Sequence, residues 1–300
     1  MKAKFLFIPA ILLSAACQQA EIENPSTEEF KKEEVVYSIS LMATKGEVGT
    51  KALDLVTGPQ DRIDAYWKDT EKVKVFKDGT LLGTLDVTPA AGEKPSSASL
   101  SGSITTEGLA ASDELTLRVS GENWDYTGQV GTLAGIETSY DYATATVTID
   151  TVDDVNHTIT TTGNASFGNQ QSIYRFGFKV GGNFIDPKSF TVSASNGALV
   201  TGLAWNGSSW ASSFGSISIT PASAAADHFY YSSIRNESTD EDSYGFIVTG
   251  EDDALYLGTK TIPASVLDVP GKFISAKNIT ISKPALAPAS GEIDDPINVF

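Results

Sequence analysis

The segment Lys72-Val73-Lys74-Val75-Phe76 alternates charged and apolar residues, and Lys77-Asp78-Gly79-Thr80 follows it directly. A period of two places one set of side chains on a buried face and the other in water, which is the signature of a half-buried strand. Asp-Gly between two such runs supplies the positive backbone angles of a two-residue hairpin turn, so Leu81–Val87 reads as the return strand. The same pattern recurs along the chain. Val36–Met42, Ser99–Ile104, Leu115–Ser120, Thr144–Ile149 and Ile159–Thr162 read as one series of strands. Ser172–Val180, Ser189–Ala194, Ser216–Thr220, His228–Ser232, Tyr244–Thr249, Ala254–Leu257 and Lys277–Ser282 read as a second. Short strands separated by Gly, Asn, Asp and Pro, with no long helical stretches between them, predict an all-β protein built from sandwiches rather than βαβ units. Two tandem β-sandwich domains are expected, 35–164 and 165–300.

The chain opens with Met1-Lys2-Ala3-Lys4, then the apolar run Phe5–Leu13, then Leu13-Ser14-Ala15-Ala16-Cys17. Two lysines, a short apolar segment and small residues before a cut describe an export signal. The apolar run falls short of the roughly 20 residues that a membrane-spanning helix needs. A cysteine after those small residues, with a leucine four positions earlier, resembles the lipobox of bacterial lipoproteins. That resemblance implies cleavage before Cys17 and diacylglyceryl attachment to its thiol, so residues 1–16 are expected to be a signal peptide. Several acyl chains on one residue hold a protein to a membrane without a helix, each buried methylene contributing about 0.8 kcal/mol. Residues 17–34 are polar and charged with no apolar period, and read as a flexible tether.

Cys17 is the single cysteine, so the mature domains are expected to hold no disulfide and no cysteine-ligated metal. Asp plus Glu number 38 against 21 Lys plus Arg, a formal charge of −17. Such a surface repels phosphate backbones and argues against nucleic-acid partners. Asp240-Glu241-Asp242-Ser243-Tyr244-Gly245 with Glu251 approaches a calcium-loop pattern. Tyr244 occupies a ligand position and no flanking helices are visible, so it reads as a solvated acidic turn. His157 and His228 lack metal-binding context. No nucleophile elbow, phosphate-binding loop or dinucleotide fingerprint is present. The expectation is a protein that is not an enzyme, with no cofactor and no metal site. Trp205 and Trp210 flank the turn Asn206-Gly207-Ser208-Ser209; such rings stack on sugars or pack into a core, and packing is the more common role.

Four phrases carry a family resemblance. They are Thr50-Lys51-Ala52 to Trp67 followed by Glu71–Phe76; Ala98-Ser99-Leu100-Ser101-Gly102-Ser103-Ile104; Tyr126-Thr127-Gly128-Gln129-Val130-Gly131-Thr132-Leu133 with Tyr140-Asp141-Tyr142-Ala143-Thr144-Ala145; and Asn169-Gln170-Gln171-Ser172-Ile173. Together they resemble the fimbrillin-type lipoproteins of Gram-negative gut and oral bacteria, subunits of fimbriae and related cell-adhesion proteins. The resemblance covers most of residues 35–180 and is weaker beyond.

It implies transthyretin-like (Ig-like) sandwiches, a protease cut after a basic residue that removes the first strand, and a groove that then accepts a strand from another subunit. The physics of that step is strand addition to an open sheet edge with empty side-chain pockets. Here the removable strand would be Val36–Met42, with Val36, Ile39 and Leu41 as its apolar residues. Lys45, Lys51 and Arg62 are expected between that strand and the next, with Lys51 and Arg62 the candidate cut sites. Lys51 stands where the family often carries arginine, which weighs against an arginine-specific cut there. Ile293–Phe300 is a candidate donor segment, although Pro296 suits an edge strand poorly. The expected partners are other fimbrial subunits, the outer membrane through the lipid, and a host protein or glycan receptor, at the cell surface. The alternative is a glycan-binding surface lipoprotein that does not polymerise.

Overall fold

The computed structural model describes residues 33–45, 53–58, 61–119, 123–206, 209–267 and 270–284. Cys17, Lys51, residues 17–32 of the 17–34 tether and the Ile293–Phe300 segment lie outside these residues. In chain order the strands are β1 (Val35–Lys45), β2 (Leu53–Val56), β3 (Arg62–Ala65), β4 (Lys72–Lys77), β5 (Thr80–Pro89), β6 (Ser97–Thr106), β7 (Glu114–Val119) and β8 (Trp124–Asp125). Helix α1 (Leu133–Ser139) precedes β9 (Ala143–Asp153), β10 (Thr158–Thr162), β11 (Ala165–Asn169), β12 (Ser172–Val180), β13 (Asn183–Ile185) and β14 (Pro187–Ala194). Then come β15 (Val200–Trp205), β16 (Trp210–Phe214), β17 (Ile217–Ile219), β18 (Tyr230–Ile234), β19 (Asp242–Gly250), β20 (Leu255–Ile262), α2 (Ala264–Leu267) and β21 (Phe273–Ser282).

The fold is all-β, with two sheet bodies. The first is an eight-stranded sheet in the order β10-β1-β11-β9-β7-β4-β5-β6, closed into a barrel-like ring because β1 also pairs with β6. The β4–β5 hairpin forms where the Asp-Gly pair predicts it: Asp78 and Gly79 have φ of 49° and 77°, the combination a two-residue turn needs to follow the strand twist. The second body runs β13-β12-β21-β20-β19-β14-β17, with β18 also on β12. Each body has its own core. Ile39, Leu41, Val73, Val75, Leu100, Leu117, Val147 and Phe167 belong to the first. Tyr174, Phe176, Phe178, Phe190, Phe246 and Val248 belong to the second.

Two features depart from the sequence expectation. Ala165–Asn169 does not open the second body: β11 pairs parallel with β1 and antiparallel with β9 in the first. The change of sheet comes at the next strand, β12. The Asp240–Glu251 segment is largely strand, since β19 runs from Asp242 to Gly250. The Asp242 carboxylate is buried and accepts hydrogen bonds from Ser195 Oγ at 2.8 Å and Asn236 Nδ2 at 3.0 Å.

Small strands join the bodies. β8 pairs with β15, which pairs in turn with β16. β2, β3, β8 and β13 are too short to announce themselves by period.

Candidate functional site

The most informative element is β1. One edge runs antiparallel to β6 over an unbroken register from Val35↔Thr106 to Thr44↔Ser97. The other edge runs parallel to β10 at Ser38 and Ile39, and parallel to β11 at Ala43, Thr44 and Lys45. A strand bonded on both edges is a keystone: without it, β6 on one side and β10 and β11 on the other present unpaired N–H and C=O groups.

Period-two alternation fixes what β1 puts into the core. Tyr37, Ile39, Leu41, Ala43 and Lys45 are buried, while Val36, Ser38, Ser40 and Met42 are exposed. Of the three residues expected to define the strand, Ile39 and Leu41 point inward. Val36 lies in the strand but on its outer face, 56% exposed, because it differs in parity from the other two. Burying each large apolar side chain contributes about 1.5–3 kcal/mol, so the empty slot would be a row of apolar pockets flanked by hydrogen-bonding edges.

Both ends of β1 are fastened. The Tyr37 hydroxyl donates to Asp154 Oδ1 at 2.7 Å. Lys45, expected in the linker, is the last residue of the strand and its side chain is fully buried. Its Nζ donates to Glu71 Oε1 and Oε2 at 2.9 and 3.0 Å and to the Tyr66 carbonyl at 2.9 Å. It also stands 4.1 Å from the centre of the Trp67 ring. The strand continues past Met42 because this pocket gives the ammonium acceptors and an aromatic face in place of water.

The connection from β1 to β4 carries the β2–β3 hairpin. Ile63 on β3 is fully buried in a small cluster with Ile136 of α1, Ile173 of β12 and Tyr231 of β18. Just before β3, Asp61 binds Arg175 of β12, and Lys277 of β21 at 2.7 Å. Lys277 first, then Arg175, holds the Asp61 carboxyl well below the usual carboxylate range. Arg62 is the next residue. Its side chain is exposed and paired with Asp64 at 2.8 Å. The candidate cut at Arg62 therefore sits at an exposed residue of a half-buried hairpin whose base is pinned to strands of the second body.

A second assembly of aromatics lies where the bodies meet. Trp205 and Trp210 face each other across the β15–β16 hairpin. The Trp205 indole lies directly on Gly79, in the space a Cβ would fill. Trp210 covers the guanidinium of Arg118 at 3.7 Å from the ring centre, and Trp124 flanks the same guanidinium at 4.3 Å. Trp124 in turn stacks on Tyr142 at 5.3 Å. Both tryptophans thus pack across the junction. Sequence reasoning missed Arg118 and Trp124. The available signal was a charged residue at 118 between Leu117 and Val119, on a face that only a second body could cover.

No protein-family model matches the chain, and no curated protein sequence matches it. Solved structures do. A "putative cell adhesion protein" from Bacteroides ovatus is similar over 83% of this chain and 96% of its own, at 14% identity and a TM-score of 0.41. A fimbrial assembly protein from Parabacteroides distasonis is similar over 80% and 90%, at 10% identity and a TM-score of 0.35. The tip fimbrial protein Mfa3 from Porphyromonas gingivalis is similar over 75% and 81%, at 9% identity and a TM-score of 0.35. These three similar structures are thus of a putative cell adhesion protein, a fimbrial assembly protein and a tip fimbrial protein.

Proposed function

We propose that the chain is a structural and adhesive subunit of cell-surface fimbriae, exported as a lipoprotein through Cys17 and assembled by exchange of its first strand. The observation that carries this reading is the position of β1. It is N-terminal, it closes the first sheet, it is bonded on both edges, and it alone delivers Tyr37, Ile39, Leu41 and Ala43 to the core. A cut in the β1–β4 connection, at Lys51 or Arg62, would leave β1 held only by noncovalent contacts. A strand from another subunit, apolar at alternate positions, would then restore the same hydrogen bonds and pockets. The role is non-enzymatic: the partners are other subunits, the outer membrane through the lipid, and a receptor on the host.

The test is N-terminal sequencing of the protein recovered from the cell surface in polymer and in free form. Polymer starting after Lys51 or Arg62, with acylated Cys17 only in unpolymerised chains, supports the reading. Polymer made of chains that all begin at acylated Cys17 with β1 still attached contradicts it.

A further inference from the structure

Strands β14, β17, β19 and β20 turn one set of side chains into the second core, Phe190, Ile217, Tyr244 and Tyr256 among them. The opposite set forms the outer face of the sheet, and register sets its rows. Leu257 of β20, Ile247 of β19, Thr191 of β14 and Ser218 of β17 lie side by side across all four strands. Leu255, Thr249 and Ser189 make the adjacent row. Ile247, Leu255 and Leu257 are 52%, 52% and 45% exposed, so the three apolar side chains form one cluster in water.

The rest of this face is serine, threonine and glycine. Among the described residues, its outward positions from Ser189 to Ser193, Ser243 to Thr249 and Leu255 to Thr261, with Ser218, carry no charge. Lys260, exposed on β20, has the opposite parity and stands level with the buried Tyr244. The first body differs: Lys72, Lys74 and Asp86 occupy outward positions of β4 and β5. Charge gathers at one end of the neutral face instead. There Lys188, in the register shift at the start of β14, pairs with Asp253 at 2.7 Å, and Lys283 approaches Asp252 at 3.7 Å. An apolar centre free of charge beside a charged rim is the anatomy of a protein interface.

Charge and area together name the occupant. The chain carries −17, so two copies repel one another wherever their acidic surfaces meet. The neutral face removes that repulsion locally. A two-fold contact needs one surface complementary to itself, and sheet faces pack on one another about 10 Å apart. Strands about 4.8 Å apart with residues about 3.4 Å apart give a face of about 14 by 20 Å, roughly 300 Å². A stable complex buries about 800 Å² on each partner. The face is therefore too small to hold two free chains, but contacts repeated along a polymer add through effective concentration.

We propose that the outer face of β14, β17, β19 and β20 is a side-to-side contact between copies of this chain, sheet against sheet about a two-fold axis near Ile247, which bundles neighbouring polymers. The bundling rests on the polymer-forming reading above; the contact itself does not.

A covalent trap suits a contact this small. The purified full chain with Cys17→Ser carries Ile247→Cys in one sample and Val155→Cys in another, Val155 being 88% exposed on the β9–β10 turn. Both are oxidised at equal concentration. Disulfide-linked dimer should form at least fivefold faster with Ile247→Cys. Adding Leu257→Glu or Leu257→Lys should remove that excess with an unchanged melting temperature. The two substitutions move the net charge in opposite directions, so loss with both assigns the effect to the face. Equal rates at the two positions, or an excess that either Leu257 variant leaves intact, would overturn the proposal. So would protection of the introduced thiol from maleimide by phosphatidylcholine vesicles without excess dimer, which assigns the face to lipid. In polymer preparations, Leu257→Glu should leave polymer length unchanged and abolish side-to-side bundles in electron micrographs; bundles that persist would overturn the bundling role. Wild-type chains that form no polymer would count against the polymer-forming reading and the bundling, and the crosslinking result would still decide the contact.

Discussion

Lys45 and Glu71 form an ion pair with almost no water on either side chain, Nζ to Oε1 being 2.9 Å with exposures of 0% and 2%. It fixes the end of β1 beside the point where the chain leaves the first sheet. Removing one partner of a buried pair typically costs about 3–5 kcal/mol, whereas replacing both by apolar residues restores much of it. Lys45→Met should therefore lower the urea midpoint sharply, and Lys45→Met with Glu71→Leu should recover at least half the loss. Equal midpoints for wild type and Lys45→Met would remove the ion pair from the account of how β1 is held.

The Asp61 contacts with Arg175 and Lys277 yield a prediction about access to the Arg62 cut site. Asp61→Asn abolishes both ion pairs, and trypsin cleavage after Arg62 should rise several-fold at pH 8, followed by mass spectrometry. The pH dependence has a definite sign. The carboxyl is depressed in the folded chain, so its stabilisation is present above its unfolded value near 4 and is lost only as pH falls below that. Hydrogen exchange of the β2–β3 amides, corrected for intrinsic rates, should stay constant from pH 7 to pH 5 and speed up near pH 3. A loosening already complete at pH 5 would show that Asp61 is not the latch.

Gly79 and Trp205 are coupled across the two bodies. A side chain at 79 faces a left-handed backbone, at about 1–2 kcal/mol, and a clash with the Trp205 indole. Gly79→Ala should destabilise the wild type by more than the backbone term alone. In a Trp205→Ala background only the backbone term should remain. A double-mutant cycle by urea denaturation measures the difference. Additive effects would mean that the indole does not rest on the turn in solution.

These cases also show what the sequence could disclose. Asp78-Gly79 was legible because turn chemistry is local, and β1 because its alternation depends on one core. Lys45 was not, since a lysine reads as solvated until a second segment brings Glu71 and Trp67 to it. Ser172–Val180 reads as a half-buried strand. Both of its faces are covered: Tyr174, Phe176 and Phe178 enter the second core, while Ile173 and Arg175 meet residues of the β2–β3 hairpin. The short strands β2, β3 and β8 exist through tertiary pairing, and their sequences carry too few residues for a period. The residues around Arg235 come from distant parts of the chain, Gln170 and Ser212 among them, a proximity no spacing encodes.

Assembly by strand exchange requires β1 to leave its slot before subunits join. Ser40 and Ser101 are direct partners across β1 and β6, both on the exposed face. Opposed positions on neighbouring strands fall within the Cα separation a disulfide spans. The decisive measurement is polymer formation by the Ser40→Cys, Ser101→Cys chain, oxidised and reduced, after cleavage in the β1–β4 connection. Strand exchange requires folded monomer that does not polymerise while oxidised and assembles once reduced. Oxidised chains that assemble as well as wild type, with the crosslink intact inside the polymer, would contradict it.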